Sequence, residues 1–273
     1  MTTPLLQIRD LRLAIGGKEL LHGVDLTIGA GEALGVVGES GSGKSLTARS
    51  VIRLLPTNAV LEGEILFDGQ SVLDLEPAAL RAFRGDRVAM IFQDPRAHTN
   101  PIHTIGDFLT EGQVKVRGLN RKDAAARAVG LLREVGITDA HRRMNQYPHE
   151  LSGGLLQRVM IASALMSDPL LLLADEPTTA LDVTTQEEVM AIIDELRVER
   201  GLAMLFITHD LDLAAATCDR LIVMNAGRVV ETLSAERVYE EAQDDYTRRL
   251  IAARPDFAPA IARSEGTERG DGR

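Results

Sequence analysis

Residues Gly38 to Ser45 read Gly-Glu-Ser-Gly-Ser-Gly-Lys-Ser, and the unbroken apolar run Ala33 to Val37 leads directly into them. The pattern G-x-x-x-x-G-K-[ST] between a strand and a helix lets consecutive backbone N–H groups converge on phosphate at the helix N-terminus, where the helix dipole also favours negative charge. A chain of this composition supplies roughly 0.003 such matches by chance, before the strand and helix are required. Lys44 is one of only four lysines, with Lys18, Lys115 and Lys122, among 30 basic residues. A compact ammonium fits a tight loop and reaches the β and γ phosphates, which a wide guanidinium fork does not. The phosphate site is therefore assigned to Gly38, Glu39, Ser40, Gly41, Ser42, Gly43, Lys44 and Ser45, with the Ser45 hydroxyl placed on Mg²⁺.

The surrounding pattern alternates. Strands are predicted at Leu5 to Leu13, Val24 to Ile28, Ala33 to Val37, Glu64 to Phe67 and Val88 to Phe92, with a helix from Lys44 to about Leu55 stopped by Pro56. Residues 95 to about 150 turn helical, clearest at Asn120 to Val135, where Asn120 can cap and Ala124, Ala128, Leu131, Leu132 and Val135 form one stripe. Beyond lie helix Gly154 to Met166, strand Leu170 to Ala174, helix Thr185 to Glu199, strand Ala203 to Thr208, a helix near Asp210 to Cys218, and strands Leu221 to Met224 and Arg228 to Glu231. Such alternation implies a parallel sheet covered on both faces. Residues 254–273 hold too little apolar surface to fold and are expected to be a disordered tail.

Composition removes several classes. An apolar fraction of 45% over 273 residues suffices for a core, and no apolar run approaches the 18 or so residues of a membrane span. The start, MTTPLLQIRD, lacks the pattern of a secretory signal, so a soluble cytoplasmic chain is expected. A net charge of −10 argues against non-specific binding to nucleic acid or an anionic membrane. The one cysteine, Cys218, cannot form an internal disulfide and is expected to be a small core residue.

Three further strand ends carry polar groups. Asp175 and Glu176 follow four leucines, which suits a strand buried on both faces and a ligand at its carboxyl end. Asp175 is suited to hold Mg²⁺ through water, and Glu176 to orient and deprotonate an attacking water. Gln93 follows Val88 to Phe92, and His209 follows Ala203 to Thr208. Alone, Gln93 would be a loop amide and His209 a helix-start residue; their shared position makes them candidates for the same chemistry. Leu151-Ser152-Gly153-Gly154 is the last element. Ser152 reads as a helix cap, yet two glycines in a first helical turn cost about 1 kcal/mol each relative to alanine, and bare backbone there suits close approach of an anion.

In this order, phosphate loop, Gln93, LSGG, Asp175-Glu176, Ala180-Leu181-Asp182 and His209, the residues resemble the nucleotide-binding subunit of an ABC transporter, over roughly residues 5–253. The resemblance implies an α/β fold: a P-loop NTPase core of ABC type with an N-terminal antiparallel β-subdomain and a helical insert at about 95–165. It implies an ATPase that uses ATP and Mg²⁺, with Glu176, His209, Gln93 and Lys44 catalytic and Ser45, Gln93 and Asp175 around the metal. Two such subunits, identical or different, would pair head to tail, so that Ser152, Gly153 and Gly154 meet the partner's ATP and Asp182 lies at the interface.

Finer runs narrow the branch. Ile91-Phe-Gln-Asp-Pro95, Leu151-Ser-Gly-Gly-Leu-Leu-Gln-Arg158, Asp175-Glu-Pro-Thr-Thr-Ala-Leu-Asp-Val183 and Asp245-Tyr-Thr-Arg-Arg249 are similar to dipeptide, oligopeptide and nickel importers. That branch implies two membrane permeases, an extracytoplasmic solute-binding protein, no nucleic acid, and a peripheral place on the cytoplasmic face of the inner membrane. A soluble ABC ATPase acting on ribosomes or DNA, and a regulatory module without turnover, are the alternatives.

One departure bears on nucleotide binding. The family's adenine-stacking aromatic precedes the loop lysine by about 29 residues, which places Ile15 there, and the first aromatic in this chain is Phe67. Stacking on an aromatic is worth about 1–3 kcal/mol per base. Ile15→Tyr should therefore tighten ATP binding, and an unchanged dissociation constant in equilibrium titration would contradict this.

Overall fold

The structure, a computed structural model, describes residues 3–253 except Ala180. The expected tail at 254–273 lies outside the described residues. In chain order, β1 (Leu6–Ile15) and β2 (Lys18–Ile28) form a hairpin, β3 (Ala33–Val37) leads to α1 (Lys44–Val51), and β4 (Ala59–Phe67) and β5 (Gln70–Ser71) return to the hairpin. Helix α2 (Pro77–Asp86) precedes β6 (Val88–Ile91). Four helices, α3 (Ile105–Lys115), α4 (Arg121–Glu134), α5 (Ala140–Arg143) and α6 (Gly153–Leu165), separate β6 from β7 (Leu171–Asp175). Then follow α7 (Val183–Arg200), β8 (Ala203–Thr208), α8 (Leu211–Thr217), β9 (Arg220–Asn225), β10 (Arg228–Ser234), α9 (Val238–Glu241) and α10 (Asp245–Ala252).

Among the described residues the strands form two sheets. One is antiparallel, in the order β2-β1-β4-β5; the other has the order β10-β9-β3-β8-β7-β6 and is parallel except where β10 folds back on β9. Strands β3, β7 and β8 are buried along their whole length. Their side chains alternate between two cores, as a pleated strand requires. Leu34, Val36, Leu171, Leu173, Leu205 and Ile207 pack with the antiparallel sheet and α1. Leu172, Ala174, Met204 and Phe206 pack with the helices on the other face. The expected α/β core, antiparallel β-layer and helical insert are all present.

Local differences have tertiary causes. Helix α1 ends at Val51, four residues short of Leu55, because Arg53 turns to a left-handed φ of 51° and its guanidinium donates to the carbonyl of Leu75 at 2.7 Å. Strand β4 starts at Ala59 rather than Glu64, drawn out by antiparallel pairing from Ile15↔Ala59 to Leu6↔Phe67. The sequence pattern predicts none of α2, α9 and α10. Within the insert, Asn120 caps α4 as predicted, accepting from the Lys122 N–H at 2.8 Å, and the Ala124, Ala128, Leu131, Leu132, Val135 stripe is buried.

Central β3 tolerates no added bulk. A Cβ at Gly35 would lie 2.5 Å from Leu221 Cδ2 and 3.1 Å from Cys218 Sγ. Cys218 is the buried core thiol expected, its pKa pushed up to about 12 by burial. Gly35→Ala should lower the unfolding free energy by about 1–3 kcal/mol, the cost of overpacking. It would appear as a lower urea midpoint at unchanged slope; an unmoved midpoint would show that β9 and α8 yield freely.

Candidate functional site

The parallel order β3-β8-β7-β6 sets four carboxyl ends along one edge. The glycine-rich loop leaves β3, His209 follows β8, Asp175 ends β7 with Glu176 next, and Gln93 lies just past β6. In the loop, Gly38 has φ 151° and a Cβ there would sit 2.2 Å from the carbonyl oxygen of Met224, so the backbone is wedged against β9. A Cβ at Gly43 would lie 2.6 Å from Leu21 Cδ2 of β2. Gly43 is the N-cap of α1 and offers no side-chain cap, which leaves the N-terminal amides of α1 open to an anion.

Lys44 is buried, and its Nζ donates to the carbonyls of Gly38 at 2.7 Å and Glu39 at 2.8 Å. Burial lowers its pKa, against the pull of Glu176, Asp175 and Glu39. Ser45 Oγ donates to Asp175 Oδ1 at 2.6 Å, and Arg49 of α1 stands 3.6 Å from Oδ2. The Asp175 side chain is 2% exposed. Burial pushes its pKa up, while the Ser45 hydrogen bond and the Arg49 charge oppose the shift.

Glu176 has a left-handed φ of 46°, a conformation that costs a non-glycine residue about 1–2 kcal/mol and persists where neighbours enforce it. Its N–H donates to the carbonyl of Ile207 in β8 at 3.0 Å. On Oε2 three groups converge: Gln93 Nε2 at 2.8 Å, Thr179 Oγ1 at 2.9 Å and His209 Nδ1 at 3.7 Å. Gln93, Glu176 and His209 are thus one cluster, as their strand positions predict. Thr179 and Arg49 join the site without having been expected. Thr179 has a weak signal, a hydroxyl three residues after Glu176, and Arg49 has only its place on α1 one turn beyond Ser45.

Ser152, Gly153 and Gly154 form a second group. Ser152 caps α6, accepting from the Leu155 N–H, and Asp182 caps α7, accepting from Thr185 N–H at 3.1 Å and Thr185 Oγ1 at 2.8 Å. The Thr185 amide bond holds the Asp182 carboxyl below its usual range. These residues line an open concavity of about 500 Å³ with Leu181 and Arg158. Among the described residues, no hydrogen bond or ion pair joins Ser152, Gly153, Gly154 or Asp182 to the phosphate loop. Ile15 stands at the end of β1, half-buried and paired with Lys18 and Ala59.

A family model described as "ABC transporter" matches residues 21–179. The chain is 48% identical to a probable peptide ABC transporter ATP-binding protein, y4tR, of Sinorhizobium fredii, over 92% of this chain and 77% of that protein. It is 42% identical to the oligopeptide transport ATP-binding protein OppD of Salmonella typhimurium, over 92% of this chain and 76% of that one. Among solved structures, the dimeric, post-hydrolysis ATP-binding cassette MJ0796 bound to ADP and Pi superposes with a TM-score of 0.74 at 31% identity. The match covers 85% of this chain and 99% of that one.

Gly154 has a local reason to be glycine that its sequence does not announce: a Cβ would meet Thr185 Cγ2 of α7 at 2.7 Å, whereas one at Gly153 finds only Leu181 Cδ2 at 3.8 Å. Gly154→Ala should cost about 1–3 kcal/mol of stability through overpacking, offset by about 1 kcal/mol of helix propensity. Thr185→Ser, which deletes the opposing methyl and keeps the hydroxyl, should restore most of it. A double-mutant cycle of urea midpoints checks this, and strict additivity would reject the contact as the cause.

Proposed function

The chain belongs to the ABC transporter family of ATP-binding proteins, and on that premise we propose that it is the ATP-hydrolysing subunit of an importer for dipeptides or oligopeptides. The observation that carries the ATPase reading is the convergence of Gln93, Thr179 and His209 on one oxygen of Glu176, beside the phosphate loop. The peptide reading is supported by the named roles of the relatives, which favour peptides over nickel within the branch. A nucleotide-binding domain spanning 5–253, with its helical part at about 95–165, fits the run of helices α3–α6 that follows β6 in the chain with no strand before β7.

The donors suit Mg²⁺·ATP. Ser45 Oγ and Asp175 Oδ1 are hard oxygens 2.6 Å apart at the mouth of the phosphate loop, with the Gln93 amide as a third candidate. Among the described residues no group of three or more His, Cys, Asp or Glu gathers for a metal. Ser45, Asp175 and Gln93 would hold the ion, and Mg²⁺ usually completes its shell with phosphate and water. Bound there, Mg²⁺ would supply positive charge against the phosphates.

The residues divide the work. Backbone amides at the Gly43 to Ser45 end of the loop cradle the phosphates, and Lys44 exchanges the carbonyls of Gly38 and Glu39 for phosphate oxygens. Glu176 takes the proton of the attacking water. Its neighbours Gln93, Thr179 and His209 orient it through Oε2. Ser152, Gly153 and Gly154 serve ATP held by a second nucleotide-binding subunit, in keeping with their separation from this chain's own loop, and Asp182 stands at that interface.

Among the described residues no helix is long and apolar enough to cross a membrane. Association with the cytoplasmic face would come through two permease subunits, with an extracytoplasmic binding protein delivering the peptide. Loss of proton abstraction is the direct test. Glu176→Gln should reduce turnover in the assembled complex by about 10²–10⁴-fold, the usual size of general-base assistance, with ATP affinity retained. Near-normal steady-state hydrolysis would remove Glu176 from the role.

A further inference from the structure

The C-terminal helix reaches back to the phosphate loop. Tyr246, in the first turn of α10, is 7% exposed, and its hydroxyl accepts a hydrogen bond from the Glu39 backbone N–H at 2.9 Å, across 207 positions of sequence. The carbonyl of the same Glu39 receives Lys44 Nζ at 2.8 Å and the Ser42 N–H at 3.2 Å. Glu39 is therefore held at both ends, by Tyr246 at its amide and by the loop lysine at its carbonyl.

The tyrosine is itself well anchored. Asp244 caps α10 by accepting from the Tyr246 N–H at 2.8 Å, and Glu231 of β10 accepts from the Gln243 N–H at 2.7 Å and the Asp244 N–H at 3.3 Å. The next residue, Thr247, is fully buried. A continuous chain of contacts thus runs from β10 through the cap of α10 to the shoulder of the loop, beside the point where Gly38 is wedged on Met224.

We propose that Tyr246 is a positioning residue for ATP binding: its hydroxyl presets the Glu39 peptide, and so the loop that receives the phosphates, before nucleotide arrives. A loop already shaped for its ligand binds without the cost of ordering itself. The proposal rests on the ATPase reading above, and its failure can be told apart from failure of that reading.

The variant is Tyr246→Phe, which keeps the ring and deletes the hydroxyl. One neutral hydrogen bond is worth about a two- to tenfold change in an equilibrium constant. The dissociation constant of the full chain for Mg²⁺·ATP, and KM in the assembled complex, should rise by about that factor, with the loss in KM and little in kcat. Amide hydrogen exchange should quicken in the peptide carrying Glu39 and stay unchanged elsewhere. Tyr239→Phe, which removes the hydroxyl bonded to Asp212 at 2.6 Å, is the control and should leave ATP affinity unchanged. An unaltered dissociation constant in Tyr246→Phe would overturn the proposal. So would a rise accompanied by faster exchange throughout the fold, which would mark a general packing role. Failure of the unmodified chain to bind ATP would instead overturn the reading on which it rests.

Discussion

Four parallel strands that share one direction and are packed between two cores are the constraint on which the site depends. Because β3, β8, β7 and β6 are neighbours in register, Val37 stands beside Thr208, Asp175 beside Ile207, and Ile91 beside Ala174. Whatever follows each strand then emerges on the same edge. Phosphate loop, histidine, carboxylates and glutamine become neighbours through this geometry, although Gln93 and Glu176 are 83 residues apart in sequence. The strands can hold that register because a one-residue slip would exchange the faces of Leu34, Leu171 and Leu205 with those of Val37, Leu172 and Phe206.

The phosphate loop itself is braced from outside that row. Met224 of β9 leaves no room for a side chain at Gly38, Leu21 of β2 leaves none at Gly43, and the Gly227 N–H in the β9–β10 turn donates to the Ser42 carbonyl at 3.0 Å. Tyr246 adds a fourth support from α10. Preorganisation of this kind matters where backbone dipoles are the ligands, since dipoles already in place need no reorientation when charge arrives. It also explains why a net charge of −10 is compatible with an anionic substrate: the phosphates meet local amides and one lysine, not the global field.

Legibility differed sharply between elements. Strand β8 matches its predicted bounds and Asn120 caps α4 as expected, because an unbroken apolar run and an Asn before a periodic stripe are local signals. Helix α1 stops early for a distant reason, the capture of Arg53 by carbonyls on the segment after β5. The first turn of α10 carries a cap at Asp244, but with two adjacent acids and a short span it does not stand out from a polar terminus. Thr179, Arg49 and Tyr246 could not be assigned from residue type, since a threonine, arginine or tyrosine acquires a role in the site only through the partner it meets.

By itself the sequence determined the chemistry available: a glycine-rich loop with one lysine, a carboxylate pair after a buried strand, and polar groups at two more strand ends. Those are statements about residue type and spacing along a few residues, which short-range sterics and burial govern. Which groups touch was settled by tertiary packing. The sheet order aims Gln93 and His209 at a single oxygen of Glu176, the meeting of α6 with α7 sets Gly154 against the Thr185 methyl, and the return of α10 brings the Tyr246 hydroxyl to Glu39. Each of these contacts closes a loop of tens to hundreds of residues, and no local pattern encodes where such a loop will close.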